Sequence, residues 1–397
     1  MRKKIMILGA GILQLPAIKQ AKNMGLEVVA VDMNPNAIGF QEADKSLVIS
    51  TIDIEAVLQA AKEEHIDGIM TLASDMPMRT VAVVAKELGL IGVDEDTALK
   101  ATNKALMRQC LKEHGVPIPM FFKVSNEEEY LQAIKLFKTK VIVKPADNSG
   151  SRGVFLVERL EDDNVLLQAY RYSKEFSRNG DVVVEEYMEG EEVSVETLSI
   201  DGVCHVIQIT DKLTTGAPHF VEMGHSQPTR HNAVIADQIR EVAISAVNAI
   251  GIQNGPSHTE IMVTKDGPKI VELGARLGGD CITTHLVPLS TGVNMVENCI
   301  LIALGEQPDL TAKFAKASAI RYIPSYEGIL KEVSNLEEAK QVVGVQEISL
   351  VKAVSDALTD IESSTARIGF VIAQNDTAEQ AISACYKALD KIRIVID

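Results

Sequence analysis

Along the first hundred positions, apolar and polar residues follow two rhythms. Short apolar runs at 5–8, 28–31 and 68–72 are too brief for helices and read as buried strands. Between them, 15–24, 55–64 and 79–88 repeat apolar side chains at three- and four-residue intervals, and Gly25 and Gly89 close the first and third. Repeated β–α units of this length predict a parallel sheet with helices on both faces. Asp96 predicts the N-cap of a helix running to about 114. Pro117 and Pro119 then break the pattern, because proline drives its predecessor towards extended backbone.

The later chain predicts smaller, mixed units. A helix at 126–137 and strands at 141–144, 154–157 and 182–186 suffice for a small α+β subdomain able to move as a lid. Residues 193–273 add strands, a helix at 234–250 and a hairpin turning at Lys265, Asp266 and Gly267. Past 317 the pattern restarts with a strand, a helix at 335–343, further strands and a helix at 377–392. Thr377 and Gln380 have capping-box spacing for that last helix. The expected division is 1–102, 103–317 (lid about 116–187) and 318–397. The last segment carries no cluster of convergent acids or histidines and is expected to be mostly structural.

Composition narrows the function. Thirty-nine basic and 55 acidic side chains give a formal net charge of −16, which argues against sequence-independent nucleic-acid binding. Five scattered cysteines without a C-x-x-C pair fit reduced thiols. No apolar run reaches membrane length, and the basic-then-apolar start reads as a first strand. The expectation is a cytoplasmic protein acting on small molecules, with no nucleic-acid or membrane partner.

Gly9 and Gly11 follow a strand and precede a helix, and Asp32 ends the next strand. That resembles a dinucleotide fingerprint, but Gln14 stands at the third glycine position. An NAD-dependent oxidoreductase is therefore a distant alternative.

Stronger chemistry lies downstream. The 141–144 strand ends in Lys144 and enters a loop containing Ser149, Gly150, Ser151 and Gly153 before another strand. Glycine N–H groups and serine hydroxyls on a strand–loop–strand can cradle phosphates, with Lys144 adding charge. The 182–186 strand empties into Glu185 and Glu186, followed by Met188 and Glu192, which suits an adenine edge and ribose hydroxyls. A hairpin centred on Asp266 sets Glu260 opposite Glu272, with Met262 pairing Ile270 on the same face. Two half-buried carboxylates that close need a cation or a proton between them, which suggests Mg²⁺. Arg276 lies four residues beyond Glu272, placed to contact a transferring phosphoryl group. Glu222 and His225 fall in an expected loop, where a tight turn at 223–224 would let them converge on an ammonium.

Together these pieces resemble the ATP-grasp superfamily, in particular its carboxylate–amine ligases, over nearly the whole chain. The resemblance implies a Rossmann-like parallel-sheet domain, a lidded ATP-grasp nucleotide domain and a small C-terminal α+β domain. It implies that Lys104 and Lys144 bind nucleotide phosphates under the 149–153 loop. It assigns adenine to Glu185, Glu186 and Met188, and ribose to Glu192. Magnesium falls to Glu260 and Glu272, with Mn²⁺ as a substitute, and the acyl-phosphate to Arg276. The family usually writes Glu-x-Asn at the second metal glutamate, and Gly274 stands in place of that amide. The run 272–279 and the Glu222–His225 element are similar to bacterial L-amino-acid ligases. The implied reaction joins a carboxylate to an amine, with amino acids as candidate substrates, through an acyl-phosphate, releasing ADP and phosphate, in a homodimer. Relatives that make carboxyphosphate, ligate glycine to phosphoribosylamine or synthesise carbamoyl phosphate are the alternatives, with a nucleotide-sensing module as a third class.

Overall fold

The computed structural model describes residues 2–148, 150 and 152–397. At the N-terminus, strands Lys4–Leu8, Glu27–Asp32, Lys45–Val48 and Gly68–Thr71 form a parallel sheet. Their spatial order places the first strand between the second and fourth. The predicted helices appear at Leu15–Asn23, Ile54–Glu64 and Pro77–Leu88. The strand Lys45–Val48 escaped the sequence pattern because it is a mostly exposed edge without an apolar run.

The glycine turn does not resemble a working dinucleotide loop. A Cβ on Gly9 would stand 2.8 Å from the Gln14 side chain, whose amide donates to the Leu72 carbonyl at 2.6 Å. Gln14 thus fills the space above the turn. Asp32 accepts from the Ala10 N–H at 2.8 Å, so this acid holds the loop itself.

The helix expected from Asp96 to 114 is two helices, Glu95–Ala101 and Lys104–Glu113. Asp94, two residues earlier than expected, caps the first through the Thr97 N–H. Asn103 breaks the pair: its backbone is extended, and its side chain accepts from the Ala105 and Leu106 N–H groups. The break makes Lys104 the first residue of a helix.

A four-stranded antiparallel sheet follows, in the order Phe121–Val124, Val182–Glu186, Val141–Pro145, Phe155–Val157. Helices Glu127–Ile134 and Asp163–Glu175 cover one face, stacking Tyr130 on Tyr170. The second of these helices and the first strand were not legible in the sequence.

The largest element is an eight-stranded sheet. Gly190–Ile200 and Val203–Thr214 lie at its centre beside the hairpin Gly255–Thr264/Gly267–Gly274. The other flank runs through Glu222–Gln227 to Ala317–Ile323, Gly369–Asn375 and Val345–Leu350. Strands of the C-terminal segment therefore continue the central sheet across residue 317. Alternation along the central strands divides the faces: Val193, Val195, Ile209, Ile261 and Leu273 join the main core with helix Ala233–Ile250. The opposite face carries polar side chains. The capping box at Thr377 and Gln380 is present on helix Ala378–Leu389. Among the described residues, no single helix is long and apolar enough to cross a membrane.

Candidate active site

The polar face of the eight-stranded sheet and the inner end of the small sheet enclose two adjoining cavities. The first is lined by Lys104, Lys144, Gly150, Glu185, Glu186, Met188 and Glu192, with Ile142, Val154, Met262 and Val271 as apolar walls. The second is lined by Asp75, Glu222, His225, His258, Arg276 and Asp280. Glu260, Glu272, Lys212, Glu222 and Gly150 border both. Nearly all the residues singled out by the sequence thus converge from elements far apart in the chain.

Glu260 pairs with Glu272 across the hairpin, as the sequence predicts, but by a different route. The turn centre lies between Lys265 and Asp266, so Ile261 pairs with Ile270 and Met262 with Lys269. The expected Met262–Ile270 pair is therefore wrong. A bulge then leaves Val271 unpaired and restores Glu260 to its place opposite Glu272.

The expected cation between these acids is supplied in part by lysines. Lys104 donates to Glu272 at 2.8 Å and to the Asn148 carbonyl at 2.6 Å. Lys212, buried, donates to Glu260 at 2.9 Å and Glu192 at 2.6 Å, and lies 3.7 Å from Glu222. Burial works to lower the Lys212 ammonium, but its three carboxylates outweigh that and hold it well above the ordinary lysine range. Burial also opposes ionisation of Glu260, which Lys212 and His258 override, keeping it well below the usual carboxylate range. Glu192 is raised, chiefly by burial.

His258 stands behind Glu260. Its Nδ1 meets the fully buried Glu196 carboxylate at 2.6 Å, and its Nε2 lies 3.5 Å from Glu260. Burial disfavours the imidazolium, but Glu196 prevails and lifts it to about 9. Gly278 is required here, since a Cβ would meet His258 Nδ1 at 2.7 Å and Glu196 Oε2 at 2.9 Å.

Glu185, expected to read adenine, borders the first cavity but is held by two buried cations. Arg108 donates to it at 2.6 and 3.0 Å and Lys144 lies 2.7 Å away, all three side chains being buried. Burial pushes the Glu185 carboxyl up, yet the two cations hold it down at about 2. Burial lowers Lys144. Arg108 was missed: it lies on a helix, 77 residues from its partner, without a local signal.

The loop after Lys144, expected to cradle phosphates, is stitched down through Asp147, which accepts from the Arg178 and Asn179 N–H groups. Gly150 and Gly153 both have positive φ. A Cβ on Gly153 would lie 2.7 Å from Phe176, whereas Gly150 has open space. Ser149 and Ser151 lie outside the described residues.

Glu222 and His225 sit on the strand Glu222–Gln227, not on a loop. A register shift beside Thr214 leaves Met223 unpaired, which turns both side chains to one face despite their odd spacing. Glu222 remains a quarter exposed. His225 is buried, 3.4 Å from Asp280, and its Nδ1 is enclosed without a partner among the described residues.

Arg276 donates to Asp75 at 2.8 and 3.4 Å. Burial lowers the guanidinium, and Asp75 more than compensates, leaving it raised. The tail expected to be structural also enters the site, through Arg367 on Asp280. Alternation of Glu192, Ser194 and Glu196 with Val193 and Val195 could have flagged Glu196, and the same rhythm flags Lys212. Asp75, Asp280 and Arg367 had no such signal.

The donor chemistry fits magnesium. Glu260 and Glu272 keep 24% and 31% of their side chains exposed where the cavities meet. Among the described residues, no group of three acids, histidines or cysteines is disposed to hold an ion. Mg²⁺ is commonly held this way, by one or two carboxylates plus substrate phosphates.

Comparison with known proteins agrees along the chain. A family pattern described as the ATP-grasp domain matches residues 137–284. The PylC-like N-terminal domain matches 5–94, and L-amino acid ligase C-terminal domain 2 matches 321–397. The L-arginine-specific L-amino acid ligase of Bacillus subtilis is 26% identical over 343 residues, 85% of this chain and 82% of that protein. A phosphoribosylamine–glycine ligase of Methanocaldococcus jannaschii is 26% identical over 355 residues, 81% and 77% of the two chains. The crystal structure of an L-amino acid ligase from Bacillus licheniformis superposes with TM-score 0.86 and 23% identity, covering 100% and 99%. The chain carries an ATP-grasp domain and is an ATP-dependent ligase that forms C–N bonds.

Proposed function

We propose that the enzyme joins two amino acids, activating the carboxylate of one as an acyl-phosphate and coupling it to the amine of the other. One observation carries the reading: the nucleotide-sized cavity and the acid-walled cavity meet at Glu260 and Glu272, so a γ-phosphate and a carboxylate can be presented to each other there.

The apolar slot between Ile142, Val154 and Met262 would take adenine, with Glu186 and Met188 at its edge and Glu192 at the ribose. Lys104 and Lys144 would hold phosphates under the loop bearing Gly150. Glu260 and Glu272 would hold magnesium, or Mn²⁺ in its place, which when bound neutralises phosphate charge. The substrate carboxylate oxygen attacks the γ-phosphorus and the bond to ADP breaks. The ammonium gives one proton to Glu222, the resulting amine attacks the acyl carbon, the carbon–oxygen bond breaks, and phosphate leaves carrying the second proton. Arg276, fixed by Asp75, would steady the acyl-phosphate. Positioning and charge neutralisation supply nearly all the catalysis in such transfers.

Ligation of glycine to phosphoribosylamine is the second reading, favoured by the Methanocaldococcus jannaschii relative. A sugar phosphate would need a cation in the second cavity, where Arg276 and Lys212 are already held by Asp75 and by Glu192 and Glu260, and where Glu222 and Asp280 line the same wall. Supplying ATP, magnesium and the twenty amino acids in pairs should release ADP and phosphate for particular pairs. AMP and pyrophosphate as products, or release with glycine and phosphoribosylamine alone, would overturn the proposal.

A further inference from the structure

Asp280 belongs to the second cavity without any local pattern marking it. It follows two glycines with φ +50°, and Cys281 after it has φ +62°. Successive left-handed residues that are not glycine are rare, and strained backbone of this kind gathers at functional sites. Arg367 grips both carboxylate oxygens of Asp280, at 2.9 and 2.8 Å. The same guanidinium donates to the Glu222 carbonyl at 3.1 Å and the Ser364 carbonyl at 2.8 Å. It also lies over the Tyr322 ring, 3.7 Å from the centroid, while the Tyr322 hydroxyl donates to the Asp280 carbonyl at 3.1 Å.

These four donations nearly exhaust the five N–H groups of a guanidinium, so Arg367 is a clamp and not an anion receptor. A carboxylate has about four acceptor sites; Arg367 fills two and His225 Nε2, 3.4 Å away, faces a third, so Asp280 retains one, and a quarter of its side chain is exposed. Glu222 lines the same cavity, and its nearest cation, Lys212, makes shorter contacts with Glu192 and Glu260. Two carboxylates with acceptor capacity left over, on one cavity wall, match a cationic ligand.

We propose that Asp280 and Glu222 together anchor the ammonium group of the entering amine substrate, and that Arg367 is a positioning residue that sets both from the C-terminal segment. The inference rests on the ligase reading above. It makes the cavity wall a joint product of the central sheet and the tail.

The test compares two nucleophiles on wild type, Asp280→Asn and Arg367→Lys, using the amino-acid pair with the fastest phosphate release. The amino acid arrives as an ammonium ion. Hydroxylamine, uncharged at pH 7.5, traps the acyl-phosphate without needing an ammonium site. In Asp280→Asn, KM for the amine should rise at least about tenfold, and the ratio of amide to hydroxamate formation should fall by a similar factor. Arg367→Lys keeps the charge but loses the fork, and should show the same split in milder form. It also carries the comparison if Asp280→Asn does not fold. A parallel fall in both reactions, or an unchanged amine KM, would overturn the inference while leaving the ligase reading intact. Absence of phosphate release from wild type with every pair would instead overturn the ligase reading, and this inference with it.

Discussion

A Cβ on Gly274 would stand 2.8 Å from Asp75 Oδ1 and 3.2 Å from the Arg276 guanidinium. The amide that relatives carry at this position has no room here, because the Asp75–Arg276 ion pair occupies its place. Gly274→Asn should therefore displace Arg276 and not add a metal ligand. Turnover is expected to fall about 10²-fold, as for other misplacements of a positioning group, with magnesium affinity unimproved. Steady-state kinetics with a magnesium titration would decide it. The neighbouring Glu272 has a different balance. Repulsion between facing acids suggests that Glu272→Gln would leave metal-free stability level or higher, but Lys104 already pairs with Glu272 at 2.8 Å. With the pair partly exposed, a loss of up to about 1 kcal/mol is expected in metal-free denaturation. ATP turnover should drop about 10²-fold or more. A melting temperature that rises in the variant would refute the lysine's part.

At the scale of elements, the Arg108–Glu185–Lys144 triad ties the helix Lys104–Glu113 to the small sheet beneath the first cavity. Removing one charge from a buried cluster strands the others, so Glu185→Gln should cost about 3–5 kcal/mol near neutral pH. The sign with pH follows from the depressed carboxyl. Glu185 sits at about 2 against an ordinary 4.5, so its contribution is complete above 4.5 and disappears as pH falls through 2. The stability difference between wild type and Glu185→Gln should be flat from pH 8 to 5 and narrow below 4.5. Urea titrations at each pH would show it, and a constant difference down to pH 3 would argue that Glu185 is not ionised in the cluster. ATP affinity should fall in parallel, since Lys144 loses the partner that orients it.

For the whole molecule, the decisive feature is the continuity of the eight-stranded sheet. Ala317–Ile323 pairs with Glu222–Gln227, and Ile320 and Tyr322 pack with Ile282 and Leu286. Truncation after residue 316 would expose a buried strand edge and strip Arg367 from Asp280. Loss of soluble expression is expected, because such an edge is a template for aggregation. A truncated chain that melts cooperatively at the wild-type temperature would show that the tail is an independent unit.

Much of this protein is written locally. Apolar runs closed by glycine specify the parallel sheet and its helices, since a period of 2 or 3.6 is a property of neighbours in sequence. The strand-ending Lys144, the positive-φ glycines 150 and 153, and the facing of Glu260 and Glu272 were equally legible. The hairpin register was predicted from the wrong turn centre, and a bulge at Val271 supplied the missing residue. Polar side chains on an inward strand face look like solvent-facing ones until the second layer is known, so alternation marks the face of Glu196 and Lys212 but not their burial. Asp75 and Arg276 are separated by 201 residues, and Asp280 and Arg367 by 87. Ion pairs of that kind leave no periodicity behind, because charge complementarity acts through space and not along the chain. Local pattern determined the elements and the class of chemistry; only tertiary structure decided which acids meet which cations, and therefore which carboxylates retain acceptor capacity for a substrate.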